Sequence, residues 1–242
     1  MVSLFTKVPL EFVLTKLKEE YDLGNLTLPI PSEQFFSLIR LCVSSTIFQF
    51  NNRGFAKKEG VAMGSPLSPV LANLCMEFVE REILSRCDTE TKPILWVRYV
   101  DDVFIIFRGN EDQLKRLIDI SNSILPSIKF TTEVEVDFKL SFLDVLVFRD
   151  HNNHNFKFSV YRKATNSESY IHFYSFHSQE IKSNVIMNFA LRALRICEPQ
   201  FIDSEMKHIS AIFRSLRYPS HFIERVISRA RKNILWVKRR FA

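Results

Sequence analysis

The strand-like stretch from Ile94 to Phe107 is interrupted at its middle by two adjacent acids, Asp101 and Asp102. Apolar β-patterned segments on either side (Ile94 to Val100, then Val103 to Phe107) make this a tight hairpin with Asp101-Asp102 at its tip. Adjacent carboxylates between apolar strands repel one another, so the arrangement is costly unless something compensates the charge. A divalent cation does so, because Mg²⁺ takes carboxylate oxygens and keeps positions for water and phosphates. The competing reading is a solvated turn, since Asp is a favoured turn residue.

The segments around this hairpin alternate helices with short strands. Val13, Leu14, Leu17 and Tyr21 recur at helical spacing after Pro9, predicting a helix over about 9–21. Leu28-Pro29-Ile30-Pro31 breaks the chain, and Ser32 starts a second helix to about Cys42. Residues 46–50 and 61–63 are expected to pair across the turn Asn51-Asn52-Arg53-Gly54. Ser68-Pro69 starts a helix whose apolar face runs through Leu71, Leu74, Cys75, Phe78, Val79 and Ile83. Asn110 and Gln113 have the spacing of a capping box, with Leu114, Leu117 and Ile118 inward. Alternation at Phe130, Thr132, Val134 and Val136 predicts a strand, and Leu140–Phe148 and Phe156–Tyr161 predict two more. From Ser178 onward the pattern is helical, and Pro199 and Pro219 divide it into three helices. The class is α+β.

Composition narrows the setting. Of the 242 residues 46% are apolar and 25% charged, with five glycines and 23 phenylalanines, which suits a folded core rather than disorder. The net charge of +6 favours a polyanionic partner or a solvated basic face. Cys42, Cys75, Cys87 and Cys197 lie far apart with no CxxC pair, so reduced thiols in an intracellular protein, nuclear or cytoplasmic, are expected. No basic-then-apolar leader opens the chain and no apolar run approaches membrane-spanning length, so secretion and a membrane are not expected. His151 and His154 have a metal-compatible spacing but sit in an Asn-rich turn with no Cys partner.

A second motif lies upstream. Gly60-Val61-Ala62-Met63-Gly64-Ser65-Pro66-Leu67-Ser68-Pro69 places small residues and a turn before a helix, which lets backbone approach a phosphate, sugar or template strand. Read alone it is equally a connector. This loop, the helix after it and the Tyr99-Val100-Asp101-Asp102 hairpin, in that order, resemble motifs B and C of reverse transcriptases. Val2-Ser-Leu-Phe-Thr-Lys-Val-Pro9 resembles the segment after the motif A aspartate in the Penelope-like branch. Leu140-Ser-Phe-Leu-Asp-Val-Leu-Val147 resembles its motif E primer-grip hairpin, and Val160-Tyr-Arg-Lys-Ala-Thr-Asn166 with the helices after it resembles its thumb, an animal-type helix-turn-helix-like unit.

The resemblance implies a right-hand polymerase palm with incomplete fingers over residues 1–162 and a small all-α thumb over 163–242. It implies RNA-directed DNA polymerisation by two metal ions, Mg²⁺ or Mn²⁺, on an RNA template, a DNA primer and dNTPs. Asp101 and Asp102 would be the catalytic metal-binding carboxylates, Asp101 the more direct. Phe5 would exclude a ribose 2′-hydroxyl, Gly64, Ser65 and Pro66 would form the floor under the templating pair, and Tyr99 would lie in the same nucleotide site. Phe5 fits the Phe of motif A, which puts that motif's aspartate at the position before Met1. The chain as given is therefore expected not to polymerise, and the fingers and the Gly-Ile-Tyr nuclease of the family are not in it. The alternative is a catalytically dead remnant that binds nucleic acid through its basic thumb. On the last helix, Arg229, Arg231 and Lys232 either contact template–primer phosphates or form a solvated face. Phe173, Tyr174 and Phe176 are thumb core or a base-stacking platform. Oligomeric state is left open.

Overall fold

The structure, a computed structural model, describes residues 4–44, 47–56, 60–62, 64–150 and 155–240, with side chains described as far as residue 234. It divides into two compact units, Met1–Thr132 and Glu133–Ala242.

In the first unit a long helix supplies the centre. The elements are α1 (Leu4–Lys7), α2 (Leu10–Asp22), α3 (Ser32–Ser44), β1 (Ile47–Phe50), β2 (Arg53–Ala56), α4 (Leu67–Arg86), β3 (Leu95–Tyr99), β4 (Asp102–Ile106) and α5 (Glu111–Ile124). Helix α4 buries Leu71, Ala72, Cys75, Met76, Val79 and Ile83. The same core contains Val13, Leu14 and Leu17 of α2, Phe36 and Ile39 of α3, and Leu117 of α5. A helix apolar on so much of its circumference is stable only when neighbours cover it on several sides. The expected capping box closes α5: Asn110 accepts from the Gln113 backbone while the Gln113 side chain accepts from the Asn110 N–H.

The second unit joins a small sheet to three helices. Strands β5 (Lys139–Phe142), β6 (Val145–Asp150) and β7 (Asn155–Val160) form an antiparallel sheet in the order β5-β6-β7. Helices α6 (Gln179–Ile196), α7 (Pro199–Ser215) and α8 (Ser220–Arg240) pack around Ile186, Ala190, Ala193, Ile209, Phe213, Ile223 and Ala230. Aromatic rings knit this core: Phe213 meets Tyr218 at 5.2 Å and Phe189 at 5.9 Å, both edge-on.

Several sequence expectations are corrected. The first hairpin pairs 47–50 with 53–56, not with 61–63, and its turn is Asn51-Asn52 alone. Both asparagines have positive φ (48° and 57°), which a two-residue hairpin turn of this hand needs and Asn tolerates. Helix α4 starts at Leu67, one residue before Ser68. The alternating stretch from Phe130 is no strand; among its described residues only Val136 bridges, to Lys139, around a turn at Asp137-Phe138. Alternation there meets no adjacent strand, and the Asn122 side chain takes the Phe130 N–H at 2.8 Å. Leu140–Phe148 is two strands, split by a turn at Leu143-Asp144 where Leu143 has φ 53°. His151 and His154 lie outside the described residues.

Candidate active site

Strands β3 and β4 pair in register from Leu95↔Ile106 to Tyr99↔Asp102. The turn is therefore Val100-Asp101, one residue earlier than the sequence pattern suggested, and Asp102 is already in the strand opposite Tyr99. Asp101 is half-buried and Asp102 exposed, while Tyr99 is 61% and Val100 44% exposed. Both carboxylates thus stand at the accessible end of the hairpin.

The turn is strained. Val100 has φ 57°, in the left-handed region. A β-branched residue there is a genuine outlier, costing about 1–3 kcal/mol, and persists only where the surroundings hold it. The restraint comes from the preceding strand. The Arg98 guanidinium donates to the Val100 carbonyl at 3.3 Å, to Glu80 at 2.8 Å and to the Asn73 side chain at 3.0 Å. Trp96 donates its indole N–H to the same Glu80 oxygen at 2.9 Å. The Arg98 and Glu80 side chains are only 10% and 15% exposed.

Sequence reasoning missed these four residues. The available signal was a cation two positions from Trp96 on one strand face, with Asn73 and Glu80 spaced two turns apart on the helix.

The upstream loop leads into the same helix. Gly60 has φ 72°, and a Cβ there would lie 2.4 Å from the Thr6 carbonyl oxygen, so only glycine allows this approach. Val61 N–H donates to the Phe5 carbonyl at 2.7 Å. Phe5 is half-buried in the first core, and its segment and the loop are thereby joined. Gly64 has φ 97° with open space around it, Ser65 N–H donates to Ala62 O at 3.3 Å, and exposed Pro66 is the N-cap of α4. The structure so joins Phe5 to the loop, and the loop's helix to the carboxylate hairpin.

As for a metal, carboxylate oxygens at the hairpin end are the hard donors that suit Mg²⁺ or Mn²⁺. Among the described residues no group of three or more His, Cys, Asp or Glu side chains gathers there or elsewhere. Asp101 and Asp102 stand side by side at the hairpin end, two carboxylates whose oxygens suit such a cation.

In the second unit Arg229 and Lys232 are exposed with no partner among the described residues, whereas Arg231 pairs with Asp203 of α7 at 2.8 Å. The aromatic trio splits. Phe173 packs against Tyr218 and Phe222, while Tyr174 is 77% exposed and Phe176 fully exposed.

The carboxylate-tipped hairpin, the buried helix it hangs from and the small-residue loop before that helix all lie in one segment that a polymerase family model matches. The chain belongs to the reverse transcriptase (RNA-dependent DNA polymerase) family, whose sequence model matches residues 2–136. The animal helix-turn-helix domain matches residues 169–228, from the segment before α6 into α8. Among solved structures the chain is similar to telomerase from Candida albicans, determined with a TWJ fragment of telomeric RNA. The TM-score is 0.59 at 12% identity, covering 94% of this chain and 39% of that one. At that identity the likeness is one of fold. No curated protein matches the chain by sequence. Among the described residues no helix is long and apolar enough to cross a membrane.

Proposed function

We propose that this chain is the palm and thumb of a Penelope-like retroelement's RNA-directed DNA polymerase, extending a DNA primer with dNTPs on an RNA template. The observation that carries the reading is the accessible Tyr99–Asp102 hairpin end, with adjacent carboxylates, inside the segment that matches the reverse transcriptase family. Functionally the palm runs to about residue 162, and residues 163–242 act as the thumb.

Asp101 and Asp102 would hold divalent cations, Mg²⁺ or Mn²⁺, together with an aspartate outside these residues. When bound, two such ions neutralise the triphosphate and favour in-line displacement. The chain's own residues do the positioning. Phe5, held against the loop at Gly60-Val61, is the candidate barrier to a 2′-hydroxyl. Gly64, Ser65 and Pro66 offer an open backbone surface to the templating pair, and Tyr99 flanks the nucleotide.

Primer extension tests this. The 242 residues alone are expected to give no template-dependent dNTP incorporation with Mg²⁺ or Mn²⁺. A chain extended upstream to supply the aspartate and fingers is expected to extend the primer. There Asp101→Asn, which keeps size but removes charge, should lower the rate by several orders of magnitude. Asp102→Asn should lower it less and respond partly to Mn²⁺. Binding of template–primer without extension by the longer chain would instead make this a nucleic-acid-binding remnant. Near-full activity of Asp101→Asn would return the hairpin to a solvated turn.

A further inference from the structure

We propose that Arg98 is the positioning residue of the carboxylate hairpin, clamping the Val100 carbonyl to helix α4 and so fixing the direction of Asp101. The role of the carboxylates rests on the polymerase reading above; the clamp itself does not.

The turn needs a clamp because its first residue is the wrong one for its backbone. Hairpin turns with positive φ at the first central residue favour Gly there, and this one has Val100 at φ 57°. Left alone, such a turn relaxes by rotation about the Val100 N–Cα bond, which carries the Val100 carbonyl with it. A hydrogen bond to that carbonyl therefore resists the change in φ of Val100. It also holds the Val100–Asp101 peptide unit, whose orientation sets where the Asp101 carboxylate goes.

Arg98 suits this work chemically. Each of its guanidinium nitrogens has a different partner: Nε on Glu80, Nη2 on Asn73 and Nη1 on the Val100 carbonyl. The planar fork holds all three at once, which a lysine ammonium does not reproduce in the same geometry. Its anchors are sound, since Asn73 and Glu80 lie on α4, whose Cys75, Met76, Val79 and Ile83 are fully buried. The helix that begins after Gly64-Ser65-Pro66 is thus tied to the tip that carries Asp101, and the loop and the hairpin become parts of one rigid support. No other hydrogen bond from a described side chain to the Val100 carbonyl is present.

The test uses the 242-residue chain with Arg98→Lys, Arg98→Ala and Val100→Gly, singly and with each Arg98 variant combined with Val100→Gly. Amide hydrogen exchange reads the tip, and electron paramagnetic resonance reads Mn²⁺ binding by the same variants in the chain extended upstream to supply a further carboxylate. Urea midpoints report global folding. Arg98→Lys retains a cation beside Glu80, so the chain is expected to stay folded. Its Asp101 to Val103 amides should exchange faster by about tenfold or more, the scale of a lost charge-assisted hydrogen bond. Amides within α4 and α5 should not change. Mn²⁺ affinity should drop by roughly 10–100-fold, as for loss of other groups that orient ligands.

In the Val100→Gly background, where glycine takes the left-handed conformation freely, Arg98→Lys should change tip exchange by less than about threefold. Arg98→Ala should show the same pattern, and if it fails to fold, Arg98→Lys decides. Unchanged tip exchange in Arg98→Lys, or an equal effect with Val and Gly at position 100, overturns the proposal and leaves Arg98 as a strand-to-helix tether. If Mn²⁺ binding by that extended chain is indifferent to Asp101→Asn, the polymerase reading is what fails, and the exchange data alone decide the clamp.

Discussion

One oxygen of Glu80 accepts from both Trp96 and Arg98, at 2.9 and 2.8 Å, in a setting where both charged side chains are mostly covered. Removing that carboxylate strands the Arg98 charge, so Glu80→Ala is expected to destabilise the fold by about 3 kcal/mol. Glu80→Gln still accepts a hydrogen bond and should cost less; urea denaturation of the two variants checks the order. Thiol chemistry offers a second residue-scale test. Burial pushes the Cys75 thiol up to about 12 and raises those of Cys87 and Cys197 as well. The reactive species is the thiolate, which burial disfavours at all three, and Cys75 and Cys197 are also buried from reagent while Cys87 is half-buried. Cys42 is exposed, and all four cysteines are free. A disulfide reagent at pH 8 should therefore modify Cys42 rapidly, and Cys75 and Cys197 only as fast as the chain opens. Prompt labelling of Cys75 would contradict a core built around α4.

Helix ends show how the sequence directs elements, and where it hides its choices. Helix α7 closes with Tyr218 N–H on the Phe213 carbonyl and Arg217 N–H on the Arg214 carbonyl, both at 3.0 Å. That is the Schellman arrangement, and the Tyr218 and Phe213 rings in contact supply its apolar pair. The residue that must turn left-handed is Arg217, at φ 66°, where glycine is usual. The Arg217 side chain is exposed with no partner among the described residues, so Arg217→Gly loses little and should raise stability by about 1 kcal/mol. A higher urea midpoint with an unchanged slope is the expected reading. Helix positions were legible because Asn110, Ser178 and Pro199 carry their signals locally. The turn at Val100-Asp101 was misplaced by one residue and that at Leu143-Asp144 was not foreseen, because positive φ at Val or Leu has no composition signature. The asparagines did mark the Asn51-Asn52 turn, and only the strand after it was misassigned. The Phe130–Val136 alternation misled for a different reason: a strand needs a neighbour, and periodicity does not say whether one is present. The carboxylates were legible as a pair, but their support was not. Arg98, Glu80 and Asn73 meet only through the fold.

Over the whole chain, the basic excess is where the two readings of the second unit part. The last helix was expected to present Arg229, Arg231 and Lys232 together, yet the three stand differently. Arg231 is held by Asp203, while Arg229 and Lys232 point outward beyond the buried Ile223, Val226, Ile227 and Ala230. For Arg231 to reach a phosphate it must leave Asp203, which then faces the polyanion bare. Each phosphate contact by a free cation releases condensed counterions and adds about 0.9 to the log–log salt slope on B-form DNA. If this helix contacts template–primer, Arg229→Gln with Lys232→Gln should lower the slope by about 1.8, taking two contacts at that increment and a similar value on an RNA–DNA duplex. Arg231→Gln should change it much less and show mainly as a small loss of stability, the usual scale for an exposed pair. Fluorescence anisotropy against KCl concentration measures the slope, and circular dichroism confirms that the variants remain helical. Equal effects at Arg231 and at the other two positions would mean that the Asp203 pair does not persist in solution. An unchanged slope in the double variant makes this helix a solvated face, and the contacts to nucleic acid must then be sought elsewhere on the chain.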